Sequence, residues 1–222
     1  MFRQRLAQVE DRIEKAVARS GRLRRDVTLI AVTKTFPAAS VIEAYEAGLR
    51  DFGENYVQEF DQKLPLLSHL TEARFHLIGH LQSNKSRKAS DLFQTIQTID
   101  DQKLARRLNE HRTPDQVLDV MLEIKLAEEE SKHGVAPEAA GVLVDAVRSQ
   151  PNLRLLGLMT IPPWTTDAEA SRPYFVRLRE LGEKLGTPAL SMGMSNDFEV
   201  AIEEGATHIR VGTALFGSRK RP

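Results

Sequence analysis

Cysteine is absent from all 222 residues, which excludes disulfides, thiolate metal sites and cysteine nucleophiles. Neither charge is in excess. With 31 basic and 31 acidic residues, the chain has no net field to draw nucleic acid or an anionic membrane. No apolar run approaches the roughly 18 residues that span a bilayer. The N-terminus, Met1-Phe2-Arg3-Gln4-Arg5-Leu6, scatters charge through its first turns and lacks the apolar block of a secretory signal. These absences predict a soluble, cytoplasmic protein. No linker, low-complexity tract or short internal repeat divides the chain. Residues 1–222 are therefore expected to form one domain, of a size suited to an α/β fold.

The chain is organised around Val27 to Lys34, an apolar, β-branched run that ends in a lysine followed by Thr35-Phe36-Pro37. Such a run reads as a strand buried on both faces, as in a parallel sheet. Lys34 then sits at the carboxyl edge, where ligands bind in barrels and open α/β sheets. An amine held on a rigid strand end can become a nucleophile towards a carbonyl. It can equally snorkel to solvent.

Ahead of this strand, Phe2, Leu6, Val9, Ile13 and Val17 mark one face of a helix over residues 2–19. Seven more strands are expected near 50–52, 74–78, 92–96, 117–126, 153–158, 188–191 and 207–211. Helices fall between most of them. Two are expected to open on capping boxes, Thr166 with Glu169 and Asn196 with Glu199. Eight strands alternating with helices close a parallel barrel, so the fold class is a (β/α)8 TIM-type barrel with an extra N-terminal helix. An open doubly wound sheet is the lesser alternative; no Gly-x-Gly-x-x-Gly follows the first strand.

A barrel would gather Lys34, Asn55, His76, Lys125, Met159, Ser191–Ser195 and Arg210 with Gly212-Thr213 on one face. Ser191-Met192-Gly193-Met194-Ser195 and Gly212-Thr213 offer hydroxyls and exposed amides suited to phosphate, on the loops where barrels often bind it. Arg210 is either a structural ion pair or a donor in the pocket. His76 is either a hydrogen-bonded core residue or a ligand contact. His69, His76 and His80 lack metal-ligand spacing, so no metal site is expected. Lys85, Arg87 and Lys88 read as a solvated helix start rather than a nucleic-acid patch. Glu128-Glu129-Glu130 with Lys132 and His133 reads as a mobile charged loop. Trp164, beside Pro162-Pro163, either lines a cleft or anchors a lid.

Several blocks resemble the pyridoxal phosphate homeostasis proteins. They are Ala31–Thr35, Phe52–Tyr56, His76–Lys85, Glu130–Gly134, Gly157–Pro162, Leu190–Asp197 and Ile209–Gly217. They run in order over nearly the whole chain. The resemblance implies a barrel similar to the alanine racemase N-terminal domain, with pyridoxal 5′-phosphate as a Schiff base on Lys34. It also implies Ser191, Ser195, Gly212 and Thr213 around the phosphate, and Met192 and Gly193 shaping that loop. Arg210 would face the pyridine nitrogen, Asn55 and His76 would line the pocket, and Met159 would lie near the ring. The implied function is a carrier or buffer in vitamin B6 homeostasis, with no catalytic residue and no efficient turnover. A weak racemase or other cofactor-dependent enzyme is the alternative. Transient contact with apo-enzymes, and a monomer lacking the racemase's C-terminal domain, are further expectations. One departure stands out: Glu123-Ile124-Lys125 replaces the family's usual Gln-Val-Asn.

Overall fold

The computed structural model describes residues 1–127 and 133–217. The charged run at 128–132, expected to be a mobile loop, lies outside them. Eight parallel strands pair in chain order and close on themselves: β1 (Thr28–Val32), β2 (Asp51–Glu54), β3 (Arg74–Leu77), β4 (Thr95–Ile99), β5 (Leu118–Glu123), β6 (Leu153–Met159), β7 (Ala189–Ser191) and β8 (His208–Val211). Closure is set by β1 against β8, with Thr28 opposite His208 and Ile30 opposite Arg210. The expected barrel is therefore the observed one. No described helix is long and apolar enough to cross a membrane.

The helices are α1 (Phe2–Arg19), α2 (Ala38–Glu46), α3 (Val57–Leu67), α4 (Ser86–Leu92), α5 (Gln102–Glu110), α6 (Ala140–Arg148), α7 (Arg172–Leu185), α8 (Phe198–Glu203) and α9 (Thr213–Phe216). The extra helix α1 docks on α8 and α9. Phe2 stacks on Phe216 with centroids 5.2 Å apart, and the Arg12 guanidinium lies over the Phe198 ring while gripping Glu199 at 2.6 and 2.8 Å. Val9, Ile13, Ala16 and Val17 are buried beneath it. The apolar stripe is thus consumed within the chain.

Three expectations need correction. The fourth strand is Thr95–Ile99, not 92–96, because Leu92 ends helix α4 and the strand continues through Gln97 and Thr98. Those polar residues read as a strand's end, yet all five strand residues are buried. The fifth strand stops at Glu123 instead of running to 126. Neither capping box forms: the Asp167 carboxylate takes the Glu169 amide at 3.0 Å, and Asn196 turns to the Thr165 carbonyl while Glu199 holds Arg12.

Ile13 is fully buried on the inner face of α1. Ile13→Ala should cost about 2–5 kcal/mol, the usual range for such a cavity, read by urea unfolding. A loss below about 1 kcal/mol would mean that α1 is not part of the cooperative core.

Candidate functional site

Lys34 lies two residues past β1, half-buried, and both of its neighbours are fixed. Thr33 is buried and donates its hydroxyl to Glu54 Oε1 at 2.8 Å. Lys63, from the inner face of α3, donates to the Thr33 carbonyl at 3.0 Å and to Glu54 Oε1 at 2.9 Å. Lys63 also meets Glu59 at 2.6 Å, and Glu59 Oε1 accepts the Thr35 amide at 2.6 Å. That last bond holds Thr35 at φ 65°, a left-handed conformation that a β-branched residue adopts only under such restraint. The lysine therefore emerges from a clamped turn.

A cavity of about 720 Å³ opens over it, within the about 300–1,000 Å³ typical of small-molecule sites. Of the residues singled out in the sequence, Lys34, Asn55, Ser195, Arg210, Gly212 and Thr213 line this cavity. Asn55 is placed by Gly79, where a Cβ would stand 2.4 Å from the Asn55 carbonyl oxygen, so only glycine lets the two loops touch. At the β8–α9 junction, the Gly212 and Ala214 amides both reach the Ser195 hydroxyl at 3.2 Å. Trp164 is 80% exposed and sits on the cavity wall, which favours the cleft reading over a packed anchor.

His76, Met159, Ser191, Met192 and Gly193 are not on that wall. His76, expected to line the pocket, lies inside the barrel, with Nε2 2.9 Å from Asp51 Oδ1 and Nδ1 3.2 Å from the Gln97 amide nitrogen. Gln97 Oε1 accepts the Ser191 hydroxyl at 2.6 Å. Ser191 in turn accepts Arg210 Nη1 at 2.7 Å, and Arg210 Nη2 donates to the Thr160 carbonyl at 2.8 Å. His76 and Ser191 thus reach the cavity through Arg210. Met159 and Met192 are fully buried. Gly193, at φ 90°, packs against α8 so closely that a Cβ would lie 2.5 Å from that of Ala201. Its carbonyl accepts the Arg210 amide at 2.9 Å. Asp51, Gln97, Glu54 and Lys63 were not anticipated; only their unusual polarity within strands or on an apolar helix face marks them.

Burial lowers the Arg210 guanidinium to about 10, opposed by Asp197 and Glu123, so it stays charged at neutral pH. Burial would raise the Asp51 carboxyl, but the bonds from His76 and Arg74 outweigh it and hold it below its ordinary value. Glu123, at the end of β5, is pushed up to about 7 by burial and by Asp100, against the pull of Arg210. Its Oε2 finds no hydrogen-bond partner among the described residues. Lys88 of the basic cluster pairs with Asp61.

Two predictions arise here. Lys63→Met should cost about 3–5 kcal/mol, because it strands a buried carboxylate, whereas adding Glu54→Leu should recover most of that loss in the same urea titration. An unchanged double mutant would refute the clamp. Glu123 has a raised pKa in the folded state. Its contribution to stability is whole below about pH 4.5 and is lost as the pH rises through about 7. Glu123→Gln should therefore match the parent at pH 4.5 and exceed it by about 3 kcal/mol at pH 8. Asp100, just past the neighbouring β4, and Arg210, on β8, act on this group, and Lys125, His80 and His133 share its cavity. Parallel pH profiles for the two proteins would refute the assignment.

Comparison with known proteins agrees with the barrel fold. Residues 5–220 match the family model described as the alanine racemase N-terminal domain. The pyridoxal phosphate homeostasis protein of Pseudomonas aeruginosa is 49% identical over 96% of this chain and 94% of its own. That of Aquifex aeolicus is 43% identical over 98% of both. The structure of PipY from Synechococcus elongatus, solved with pyridoxal phosphate bound and also without it, superposes with a TM-score of 0.86. It is 36% identical, covering 98% of this chain and all of that one. Alanine racemase from Corynebacterium glutamicum shares the fold at 17% identity and a TM-score of 0.66, over 96% of this chain and 61% of its own. With relatives this similar over nearly its whole length, the chain belongs to the pyridoxal phosphate homeostasis protein family.

Proposed function

We propose that the cavity at the carboxyl end of the barrel holds pyridoxal 5′-phosphate on Lys34. The protein then serves pyridoxal phosphate homeostasis as a carrier or buffer rather than as an enzyme, with residues 1–222 acting as one binding domain. The observation that carries this reading is the convergence of one clamped amine, one buried guanidinium and a cluster of anion donors on a single cavity. Bound there, the cofactor supplies an aldehyde that a primary amine can hold covalently and reversibly.

The chain's own residues do the rest. The Gly212 and Ala214 amides, with the Ser195 and Thr213 hydroxyls, form the donor set for a dianionic phosphate. Ser191 and Gly193 act from behind, by holding Arg210 through its side chain and backbone. Met192 packs beneath the loop, Met159 adjoins the Thr160 carbonyl that Arg210 grips, and His76 steadies Gln97. Asn55 forms the wall beside Lys34.

Arg210 limits the chemistry. A guanidinium only donates, so a ring nitrogen beside it stays an unprotonated acceptor and the ring a weak electron sink. A racemase would also require a second acid-base group. None of the three tyrosines lines the cavity: Tyr45 bonds Glu72 at 3.4 Å, Tyr56 precedes α3, and Tyr174 lies in α7. These points favour carriage over turnover. Exchange with apo-enzymes by transient contact, from a monomer, belongs to the same proposal.

The purified protein should show the visible absorption of a bound imine, erased by borohydride, with the reduced adduct mapped to Lys34 and the band missing in Lys34→Ala. No band even after adding cofactor would overturn the proposal. Steady turnover of an L-amino acid would replace the carrier with an enzyme.

A further inference from the structure

Three loops of the barrel rim bring together side chains that the cofactor site does not use. His80 follows β3, Asp100 follows β4, and His133 lies just before the segment that returns to β5. One ligand-capable atom from each lies within 4.8 Å of the other two. The imidazoles of His80 and His133 face each other with centroids 3.5 Å apart and planes 10° apart. His80 Nδ1 is 3.7 Å from Asp100 Oδ2, beyond hydrogen-bond reach. A face-to-face sandwich is the arrangement that aromatic pairs favour least. The three potential ligand atoms lie close together, with no hydrogen bond joining them among the described residues. The parallel ring planes aim the two imidazole lone pairs side by side.

A second observation points the same way. Glu123 lines the same cavity as His80 and His133, is 7% exposed, and has its Oε2 buried without a hydrogen-bond partner among the described residues. An unshared buried oxygen in such a cavity is an acceptor that a cation, or a water held by one, would satisfy. The backbone beneath is tied down. Thr98 donates its hydroxyl to the Gly79 carbonyl at 2.9 Å, joining the ends of β3 and β4. Val135 exchanges bonds with Glu123 and Lys125 at 2.8 and 2.9 Å, joining the His133 segment to β5.

We propose that His80, Asp100 and His133 form a binding site for a divalent transition cation of the zinc class, with Glu123 as an acceptor in the same cavity. Two imidazole nitrogens and one carboxylate oxygen suit Zn²⁺ and leave a position for water, whereas Mg²⁺ and Ca²⁺ take all-oxygen sets. Tetrahedral bonds of about 2.0–2.2 Å place donors about 3.3 Å apart. Closing on the ion therefore asks each side chain to approach by about 1 Å. The two imidazoles must also tilt out of their parallel stack, since each binds in its own ring plane, and His80 and His133 are exposed enough to do so. The set differs from the one that spacing alone brought up, since His69 is exposed and His76 is committed to Asp51 and Gln97. Lys34 and the donors at the β8–α9 junction take no part, although the two cavities share Asn55, Ile78 and Ile161 as a common wall.

The test is calorimetric titration of tag-free, chelator-treated protein with ZnCl₂, with MgCl₂ as the control cation. One Zn²⁺ per chain is expected. Affinity should fall by more than about 10-fold in His80→Ala, His133→Ala and Asp100→Asn, since losing an outer-sphere partner alone costs about 10–100-fold. Co²⁺ in place of Zn²⁺ should give the visible bands of a tetrahedral centre, missing in the same variants. Asp100→Asn is nearly isosteric, so the test survives if a histidine variant fails to fold. No stoichiometric binding, equal affinity in Asp100→Asn, or equal affinity for Mg²⁺ would overturn the site and leave a simple His–Asp ion pair. Binding lost only in Lys34→Ala would place the metal on the cofactor and overturn it as well.

Discussion

The contact on which the site depends is the ion pair between Lys63 and Glu54, whose side chains are 10% and 0% exposed. Burial raises the Glu54 carboxyl, and the charge and hydrogen bonds of Lys63 oppose that rise without overcoming it. Such a pair is a poor source of net stability, because desolvation consumes what attraction provides. Its role is positional. Lys63 reaches the Thr33 carbonyl, Glu54 takes the Thr33 hydroxyl, and Glu59, also bonded to Lys63, takes the Thr35 amide. The residues on both sides of Lys34 are therefore fixed by one buried charge cluster, and the lysine stem leaves the sheet in a set direction.

A second network inside the barrel has only one consistent sense. Arg210 can only donate, so Ser191 accepts from it and must pass its own proton to Gln97 Oε1. The Gln97 amide then donates to His76 Nδ1, and His76 carries its proton on Nε2 towards the Asp51 carboxylate. A guanidinium at one end and a carboxylate at the other orient every group between them. Arg210 is thus held from Ser191, from the Thr160 carbonyl and through its own backbone, before any ligand arrives. Preorganised donors of this kind bind charge without a further cost of reorganisation.

Much of this was legible in the sequence because apolar periodicity reports which face is buried. The strand at Val27–Thr33 stood out as a continuous apolar run and the stripe on α1 by its period, whereas the loops at Ser191 and Gly212 were marked by hydroxyls and glycines at expected strand ends. What escaped notice lies in the polar interior. Gln97 and Thr98 look like the end of a strand, yet they are buried in the middle of one. Lys63 looks like a solvent-facing helix residue, yet its ammonium is buried against Glu54. Periodicity cannot mark a polar residue as internal; only the partner across the barrel does. The His80, Asp100 and His133 cluster was hidden for the same reason, since its members lie on three separate loops.

The contrast between floor and rim bears on what the site is for. Its floor, made of Arg210 backed by Ser191 and the Thr33–Glu54–Lys63 cluster, is buried and tied down by hydrogen bonds. Its rim is open: Trp164, Thr166, Asn196 and Thr213 are all exposed, and Lys34 itself is only half-buried. A turnover enzyme gains by closing over its substrate and excluding water. A carrier needs the reverse, with rigid donors to select the ligand and water at the amine to release it. On the proposed reading, an imine on Lys34 would be released by hydrolysis or by exchange with another amine, and an open rim admits either. Selectivity and exchange are thus served by different layers of one cavity.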